Sequence, residues 1–219
     1  MKISYAITVC NEFLEIQKLI PFLLQNKRVE DEVVVLVDLS KNEPTSELLG
    51  YLHRLSSSNY ITLAEATFRG HFADWKNLLT SSCKGDYIFQ IDADEMPNSI
   101  LLEHLPYMLT ETPEADVILV PRINTVEGLT PEHIKKWGWN VNDQGWVNFP
   151  DYQWRIYRNC PEIKWVNKVH ERLDGFKSYA RLEAKEYYNL YHPKTIDKQV
   201  KQNDLYDQLQ NNERNNHGV

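Results

Sequence analysis

The chain has 219 residues, of which 24 are Lys or Arg and 31 are Asp or Glu, so its formal net charge is −7. This length fits one domain with a sizeable core, and the acidic balance argues against nucleic acid or an anionic membrane as the main partner. No apolar run approaches the roughly 20 residues of a membrane span. Cys10, Cys83 and Cys160 are odd in number and widely spaced, which indicates neither a disulfide framework nor a zinc site. We therefore expect a cytoplasmic protein without a membrane span.

Strands and helices alternate along the first half of the chain. The predicted strands are rich in β-branched and aromatic residues, and the predicted helices carry apolar residues at helical spacing. The strands are 3–9, 32–38, 60–65 and 87–91, and the helices are 13–24, 46–55 and 72–82. This alternation requires crossover connections, so we predict an α/β fold with a mostly parallel sheet and helices on both faces. Ligands of such sheets bind outside the carboxyl ends of the strands. The polar residues at those ends are Thr8, Asn11, Asp38, Asp92 and Asp94.

Three carboxylates follow the fourth strand within four residues, in the run Asp92-Ala93-Asp94-Glu95. Carboxylates crowded together raise one another's pKa values, and a divalent cation would remove that conflict. In an extended segment Asp92 and Asp94 point to the same side. Hard oxygen ligands suit Mg²⁺ or Mn²⁺, so we predict a site for one of these cations. The alternative is a solvated acidic turn, because an Asp-x-Asp pattern is short and often occurs without function.

Four motifs occur in order around these strand ends. They are T-V-C-N-E after the first strand, V-D-L-S after the second, F-R-G-H-F-A-D-W-K-N before a helix, and G-D-Y-I-F-Q-I-D-A-D-E after it. In content and order they resemble family 2 glycosyltransferases of the GT-A fold, over about the first half of the chain. The resemblance implies a GT-A, Rossmann-like sheet that binds a nucleotide-diphosphate sugar.

The resemblance also implies roles for individual residues. One group would line the nucleotide pocket or lie near the base and the phosphates: Thr8, Asn11, Glu12, Arg69 and Asn77. Asp38 would accept a hydrogen bond from the uracil N–H. Asp92 would contact the ribose or the sugar, and Asp94 would hold the metal, with Asp92 as a further metal ligand. For Asp38 the alternative is an ordinary turn former at a strand end.

The segment 124–150 differs in character from the chain before it. It follows a predicted helix at 100–109 and a predicted strand at 115–122, and it has no clear period. Trp137, Trp139 and Trp146 lie there among amides and glycines, a composition that suits stacking against sugar rings. We therefore predict an irregular segment on the acceptor side. The alternative is a packed loop or a second small core, because Trp is highly buried on average.

Two later motifs point to a catalytic base. A strand with the pattern R-x-Y-R and the motif W-x-x-x-V-H-E-x-L resemble a bacterial subgroup of family 2 that transfers sugars to saccharide or peptide acceptors. The resemblance implies that Glu171 deprotonates the acceptor hydroxyl, that Asp151 is the alternative base, and that His170 contacts the acceptor. The other reading is that Glu171 is a structural ion-pair partner. Its candidate partners are Arg155, Arg158 and Arg172.

His192 lies just past an aromatic segment late in the chain. Many GT-A enzymes use a late histidine as an additional metal or diphosphate ligand, and His192 matches that position by order. A lone histidine is more often a hydrogen-bonded packing residue, so both roles stay open.

We predict three regions along the chain. Residues 1–122 would form the nucleotide-sugar-binding half with the Asp-x-Asp motif, and 123–194 the acceptor-binding and catalytic half of the same domain. Residues 195–219 would form an amphipathic C-terminal helix and a tail, because apolar residues recur there at near-helical spacing.

Together these features predict a metal-dependent, inverting glycosyltransferase that moves a sugar from a nucleotide-diphosphate donor, expected to be a UDP-sugar, to a saccharide or other hydroxyl acceptor. The resemblance alone implies inversion. A sugar-1-phosphate nucleotidyltransferase is one alternative, but that chemistry relies on a Gly-rich basic loop, and Cys10-Asn11-Glu12-Phe13 is neither. A non-catalytic sugar-binding module would leave the acidic run without a purpose. A glycoside hydrolase would need neither a nucleotide pocket nor a metal.

Overall fold

The computed structural model describes residues 1–40 and 44–203. Its strands are β1 (Ile3–Val9), β2 (Glu32–Asp38), β3 (Thr62–Ala66), β4 (Tyr87–Asp92), β5 (Met96–Pro97), β6 (Val117–Glu127), β7 (Val147–Arg158), β8 (Lys164–Val166), β9 (Arg172–Asp174), β10 (Tyr179–Arg181) and β11 (Leu190–Thr195). Its α-helices are α1 (Phe13–Asn26), α2 (Ser46–Ser57), α3 (Phe72–Ser81), α4 (Ser99–Glu111) and α5 (Pro131–Trp137), and a further helical segment occupies 196–203. The remainder of the predicted C-terminal helix and tail lies outside the described residues.

One large sheet organises the domain, in the strand order β3-β2-β1-β4-β7-β6-β11-β5, with β10 also paired to β6. Strands β1, β2, β3 and β4 are mutually parallel. Strand β7 lies antiparallel between β4 and β6, and β11 runs parallel to β6. Strands β8 and β9 form a separate antiparallel pair. The predicted α/β fold with a mostly parallel sheet is therefore confirmed.

Alternate residues of the central strands pack on opposite faces of this sheet. Val33, Val35 and Val37 belong to one buried cluster, which includes residues of α1, α2 and α4. Val34 and Leu36 belong to a second cluster, which includes residues of α3, β8 and β9. A strand buried on both faces needs apolar side chains at every position, which explains the continuous valine run of β2. Helices cover both faces, as predicted. None of the helices in the described part of the chain is long and apolar enough to cross a membrane.

The segment 124–150 contains more regular structure than its sequence suggests. Strand β6 continues to Glu127, and Thr130 begins α5 with a capping box that satisfies N–H groups of the first turn. Gly138 ends α5 in the left-handed conformation, with φ of 64°. The irregular part is thus the shorter stretch from 138 to 146, which lies between α5 and β7.

Candidate active site

A cavity of about 860 Å³ opens at the carboxyl ends of β1, β2 and β4, and residues of β6, β7 and β11 contribute to its wall. The register places Thr8 of β1 between Leu36 of β2 and Asp92 of β4, so these strand ends meet at one edge. Open α/β sheets bind ligands at this position. The predicted site residues that line the cavity are Thr8, Asn11, Glu12, Asp38, Asp92, Asp94, Trp139, Asp151, His170, Glu171 and His192.

Asp38 is buried where β2 ends, and one of its carboxylate oxygens is fully engaged. Oδ1 accepts hydrogen bonds from the Ser40 N–H at 2.8 Å, the Ser40 hydroxyl at 2.5 Å and the Phe68 N–H at 2.9 Å. Oδ2 faces the Cys10 thiol, whose sulfur lies 3.7 Å away. A thiol is a weak donor, so Oδ2 can exchange it for a stronger one. Asp38 therefore joins two loops with Oδ1, and its Oδ2 faces the thiol of Cys10, another residue of the cavity wall.

Glu12 shapes the turn between β1 and α1. Its Oε2 accepts hydrogen bonds from the backbone N–H groups of Cys10 at 2.8 Å and Asn11 at 3.0 Å. Burial raises the pKa of Glu12 above its ordinary value, against the opposing effect of these N–H donors. The carboxylate thus holds the loop that borders the cavity.

Asp92 is part of a buried ionic cluster. Its Oδ2 lies 2.5 Å from Nη2 of Arg155, and the same Nη2 lies 2.6 Å from Oε1 of Glu95. Gln90 donates from Nε2 to Oδ1 of Asp92 at 2.9 Å. Burial acts to raise the pKa of Asp92, but Arg155 and Lys76 outweigh it and hold that pKa well below its ordinary value. Asp92 is therefore ionised and fixed in place.

Asp94 and His192 face each other across the cavity edge. Nε2 of His192 lies 3.4 Å from Oδ2 of Asp94, and Nδ1 of His192 lies 2.7 Å from Oδ1 of Asn124. Nδ2 of Asn124 donates to Asp151 at 2.8 Å, which leaves Oδ1 to accept from the histidine. Nδ1 of His192 therefore carries a proton. A neutral His192 then directs the lone pair of Nε2 at the carboxylate.

Two acceptors that face each other in this way suit a cation between them. Burial acts to raise the pKa of Asp94, but when Nε2 of His192 also carries a proton, the hydrogen bond and charge of the ring lower that pKa below its ordinary value. Among the described residues no group of three or more His, Cys, Asp or Glu side chains forms a complete metal site. Mg²⁺ and Mn²⁺ typically bind through one or two carboxylates plus waters and substrate phosphates, and a ligating histidine typically donates its other N–H to a neighbour. Asp94 and His192 fit that pattern.

The carboxylate of Asp151 accepts four hydrogen bonds from neighbouring side chains. Oδ2 accepts from Arg122 Nε at 2.9 Å, Arg122 Nη2 at 2.7 Å and Asn124 at 2.8 Å, and Oδ1 accepts from Gln153 at 2.7 Å. Burial acts to raise the pKa of Asp151, but Arg122 and Asn124 lower it. A carboxylate with a lowered pKa and occupied lone pairs is a weak proton acceptor.

Glu171 pairs with a lysine and not with any of the three arginines considered from the sequence. Its Oε1 lies 2.7 Å from Nζ of Lys76, and the side chain is 18% exposed. It lines the cavity next to His170. Of the two predicted bases, Glu171 has the simpler set of contacts, whereas the side chain of Asp151 is the more exposed, at 27%.

Asn77 lies outside this cavity. Its Nδ2 donates to the carbonyl of Trp165, and its Oδ1 accepts from the N–H of the same residue, both at 2.9 Å. Both polar groups of the amide are thus engaged by the backbone of Trp165, which indicates a structural role, and the nucleotide contact of Asn77 stays a prediction. Arg69 lines a smaller neighbouring cavity of about 360 Å³, at the turn before α3.

Two of the three tryptophans also lie outside the cavity. The Trp137 ring packs against Trp139, with centroids 4.6 Å apart. The Trp146 ring packs against Phe149 at 4.8 Å. Trp139 alone of the three lines the cavity, with Trp137 packed against it, and Trp146 belongs to a separate aromatic contact.

Several cationic residues of the site were not identified from the sequence. They are Lys76, Arg122, Arg155 and Lys194, all of which line the cavity. A signal was present for Lys76, which shares the buried face of α3 with Ala73 and Leu79 at helical spacing. A charged residue at such a position needs a partner elsewhere in the fold, but the sequence does not name it.

The family model described as "Glycosyl transferase family 2" matches residues 4–181. A search of curated proteins finds no match. Among solved structures, S. aureus TarS 1–349 has a TM-score of 0.60 at 17% identity, and the match covers 88% of this chain and 60% of that chain. TarS 1–349 in complex with UDP has a TM-score of 0.61 at 18% identity, with 88% and 60% covered.

The complex of TarS 1–349 with UDP-GlcNAc has a TM-score of 0.60 at 18% identity, with 88% of this chain and 58% of that chain covered. The present chain thus spans about three fifths of the length of these structures, and identities this low carry the fold alone. The family model covers both the strand ends that carry Asp38, Asp92 and Asp94 and the segment that carries Glu171. The chain therefore belongs to glycosyl transferase family 2 and has the GT-A fold of these structures.

Proposed function

We propose that the protein is a metal-dependent, inverting glycosyltransferase that takes a sugar from a UDP-sugar and transfers it to a saccharide or other hydroxyl acceptor. The observation that carries this proposal is the position of Asp94 and His192 in the same cavity as Asp38, whose Oδ2 faces the Cys10 thiol, a weak donor. A uracil N–H donating to Oδ2 of Asp38 would put the diphosphate toward the Asp94 edge. The TarS complexes with UDP and UDP-GlcNAc support a uridine donor.

Asp94 and His192 would hold Mn²⁺ or Mg²⁺, and Asp92 would contact the ribose or the sugar. The bound cation would supply charge neutralisation at the departing diphosphate. Lys194 lines the same edge of the cavity and exerts a positive field on Asp94. It would add a fixed cation on the leaving-group side. Arg155 keeps Asp92 ionised and oriented through the contact at 2.5 Å.

Glu171 would act on the acceptor side. The acceptor oxygen forms a bond to the anomeric carbon while the bond from that carbon to the diphosphate oxygen breaks, and the bonding electron pair leaves with UDP. The acceptor proton passes to the carboxylate of Glu171. One displacement of this kind inverts the configuration at the anomeric carbon. Trp139 and His170 line the cavity and would contact the acceptor.

The direct test is to incubate the protein with a panel of UDP-sugars and saccharide acceptors and to measure UDP release. Proton NMR of the product then gives the configuration at the anomeric carbon. We expect UDP release that depends on Mn²⁺ or Mg²⁺ and a product of inverted configuration. Retention of configuration, or equal rates in the presence of a chelator, would contradict the proposal. A cytoplasmic location stays a prediction from the sequence.

A further inference from the structure

Lys76 is a buried cation whose surroundings belong to the site. Its side chain is 5% exposed, on α3. Nζ lies 2.7 Å from Oε1 of Glu171, 3.6 Å from Oδ1 of Asp92 and 4.5 Å from the centre of the Trp165 ring. It therefore stands between a carboxylate on the donor side and one on the acceptor side.

The same helix holds the segment that carries Glu171. Asn77 makes two hydrogen bonds to the backbone of Trp165, and the N–H of Phe72 donates to the carbonyl of Lys168 at 3.0 Å. Helix α3 thus fixes the backbone on the approach to Glu171. The Lys76 contact then fixes the carboxylate itself.

Desolvation of a buried ammonium group costs several kcal/mol, and well-placed anionic partners offset that cost. The two carboxylates beside Lys76 are such partners. A lysine has three donor hydrogens, which suit two carboxylates and leave the methylene stem to pack. The ring of Trp165 supplies an additional favourable surface for the cation. Because Lys76 binds Oε1 of Glu171, the second oxygen of that carboxylate is the one available to an acceptor hydroxyl.

We propose that Lys76 is a positioning residue for the acceptor-side base. It holds the carboxylate of Glu171 in one orientation and joins it to Asp92, so that the base and the donor keep a constant separation. The inference rests on the proposed function of Glu171. A displacement of about 1 Å in a catalytic group can lower a rate on the order of 10²-fold, so loss of this contact has a measurable consequence.

The test is a double-mutant cycle with Lys76→Met and Glu171→Gln, measured as kcat at saturating donor and acceptor. Methionine keeps the length of the side chain and its packing on Trp165 but removes the charge. We expect Lys76→Met to lower kcat on the order of 10-fold to 10²-fold, Glu171→Gln by about 10² to 10⁴, and the double variant to be no slower than Glu171→Gln alone. The affinity for UDP, measured by calorimetry, should stay within about twofold in each variant.

Lys185→Met is the matched control, because Lys185 forms an exposed pair with Glu183 at 3.0 Å and does not line the cavity. It should leave kcat unchanged. Thermal melts report whether each variant folds, and Lys76→Gln replaces Lys76→Met in the cycle if the latter does not fold.

Two outcomes separate the inference from the function on which it rests. If Glu171→Gln is slow but Lys76→Met is not, or if the two losses add, Lys76 does not act through Glu171 and the inference fails alone. If Lys76→Met weakens UDP binding with kcat preserved, the lysine serves Asp92 and the donor, which also overturns it. If Glu171→Gln retains the wild-type rate, Glu171 is not the base, and both its proposed function and the positioning role of Lys76 are wrong.

Discussion

Nε2 of His192 lies 3.4 Å from Oδ2 of Asp94, and the opposite ring nitrogen is held by Asn124 at 2.7 Å. Asn124 is in turn oriented by Asp151, so a chain of hydrogen bonds fixes which nitrogen of His192 carries a proton. This orientation is compatible with the proposed ligand role of His192, because a ligating histidine typically donates its other N–H to a neighbour. It gives the Asp-x-Asp motif a partner that is distant in sequence.

The first prediction follows from that pair. Asp94→Asn should nearly abolish sugar transfer while the protein stays folded, because it removes the charged ligand and keeps the shape of the side chain. The measurement is the transfer rate as a function of Mn²⁺ concentration, with a thermal melt as the control for folding. A variant that turns over at the wild-type rate at limiting Mn²⁺ would show that Asp94 does not hold the metal.

The second prediction concerns Asp38, whose two oxygens have different roles. Asp38→Asn can keep the Oδ1 contacts to Ser40 and Phe68 but places an N–H₂ donor where the uracil N–H must donate. We expect UDP binding to weaken by about 1.5–3 kcal/mol, the usual loss for a hydrogen bond to a charged group. Ser40→Ala is the matched control, which alters the loop side of the carboxylate only. Equal UDP affinity in wild type and Asp38→Asn would remove Asp38 from the nucleotide site.

The third prediction tests the structural role of Asn77 at the backbone of Trp165. Asn77→Ala leaves the N–H and the carbonyl of Trp165 without partners, and each lost partner in a buried setting costs about 1–3 kcal/mol. Urea unfolding should therefore show a lower free energy of unfolding, by at least about 1 kcal/mol. UDP affinity of the folded variant, determined by calorimetry, should match wild type. A loss of UDP affinity with unchanged stability would instead support the predicted contact between Asn77 and the nucleotide.

The fourth prediction uses the lowered pKa of Asp151. A carboxyl whose pKa is lower in the folded state stabilises that state above its unfolded pKa, about 3.9, and the contribution is lost as pH falls through the folded pKa. Asp151→Asn should therefore be less stable than wild type near about pH 7, and the difference should narrow as pH falls below about 4. The raised pKa of Glu12 acts in the opposite direction, but it is common to both proteins and cancels in the difference.

Urea unfolding at a series of pH values measures this difference. A gap that stays constant down to the acid limit would mean that Asp151 is not stabilised as an anion. Asp151 would then be less firmly tied to Arg122, and its candidacy as the base would be stronger.

The sequence contains enough to predict the parallel sheet and the residues at its carboxyl ends. The valine run of β2 and the motif around Asp92 and Asp94 are local signals, since each depends on the residues adjacent in the chain. All five polar residues predicted at the strand ends line one cavity. Local patterns thus locate the site because the fold itself brings strand ends together.

The partners of those residues were not predictable in the same way. Arg155 and Asp92 are 63 positions apart, and Asn77 and Trp165 are 88 positions apart. The first pairing depends on how β7 inserts between β4 and β6, and the second on how β8 packs against α3, and no single segment specifies either. For the same reason the sequence suggests an arginine as the ion-pair partner of Glu171, whereas the fold places Lys76 there. Distant ion pairs are decided by topology, and the sequence alone does not reveal their register.

Calorimetric titration of UDP, with and without Mn²⁺, tests the central claim most directly. We expect the wild-type protein to bind UDP clearly more tightly when Mn²⁺ is present, and Asp94→Asn to lose this difference while retaining the weaker metal-free binding. Asp38→Asn should lose affinity under both conditions, since its contact is with the base and not the diphosphate. UDP binding of equal strength with and without Mn²⁺ in the wild-type protein, or no UDP binding at all, would contradict the account.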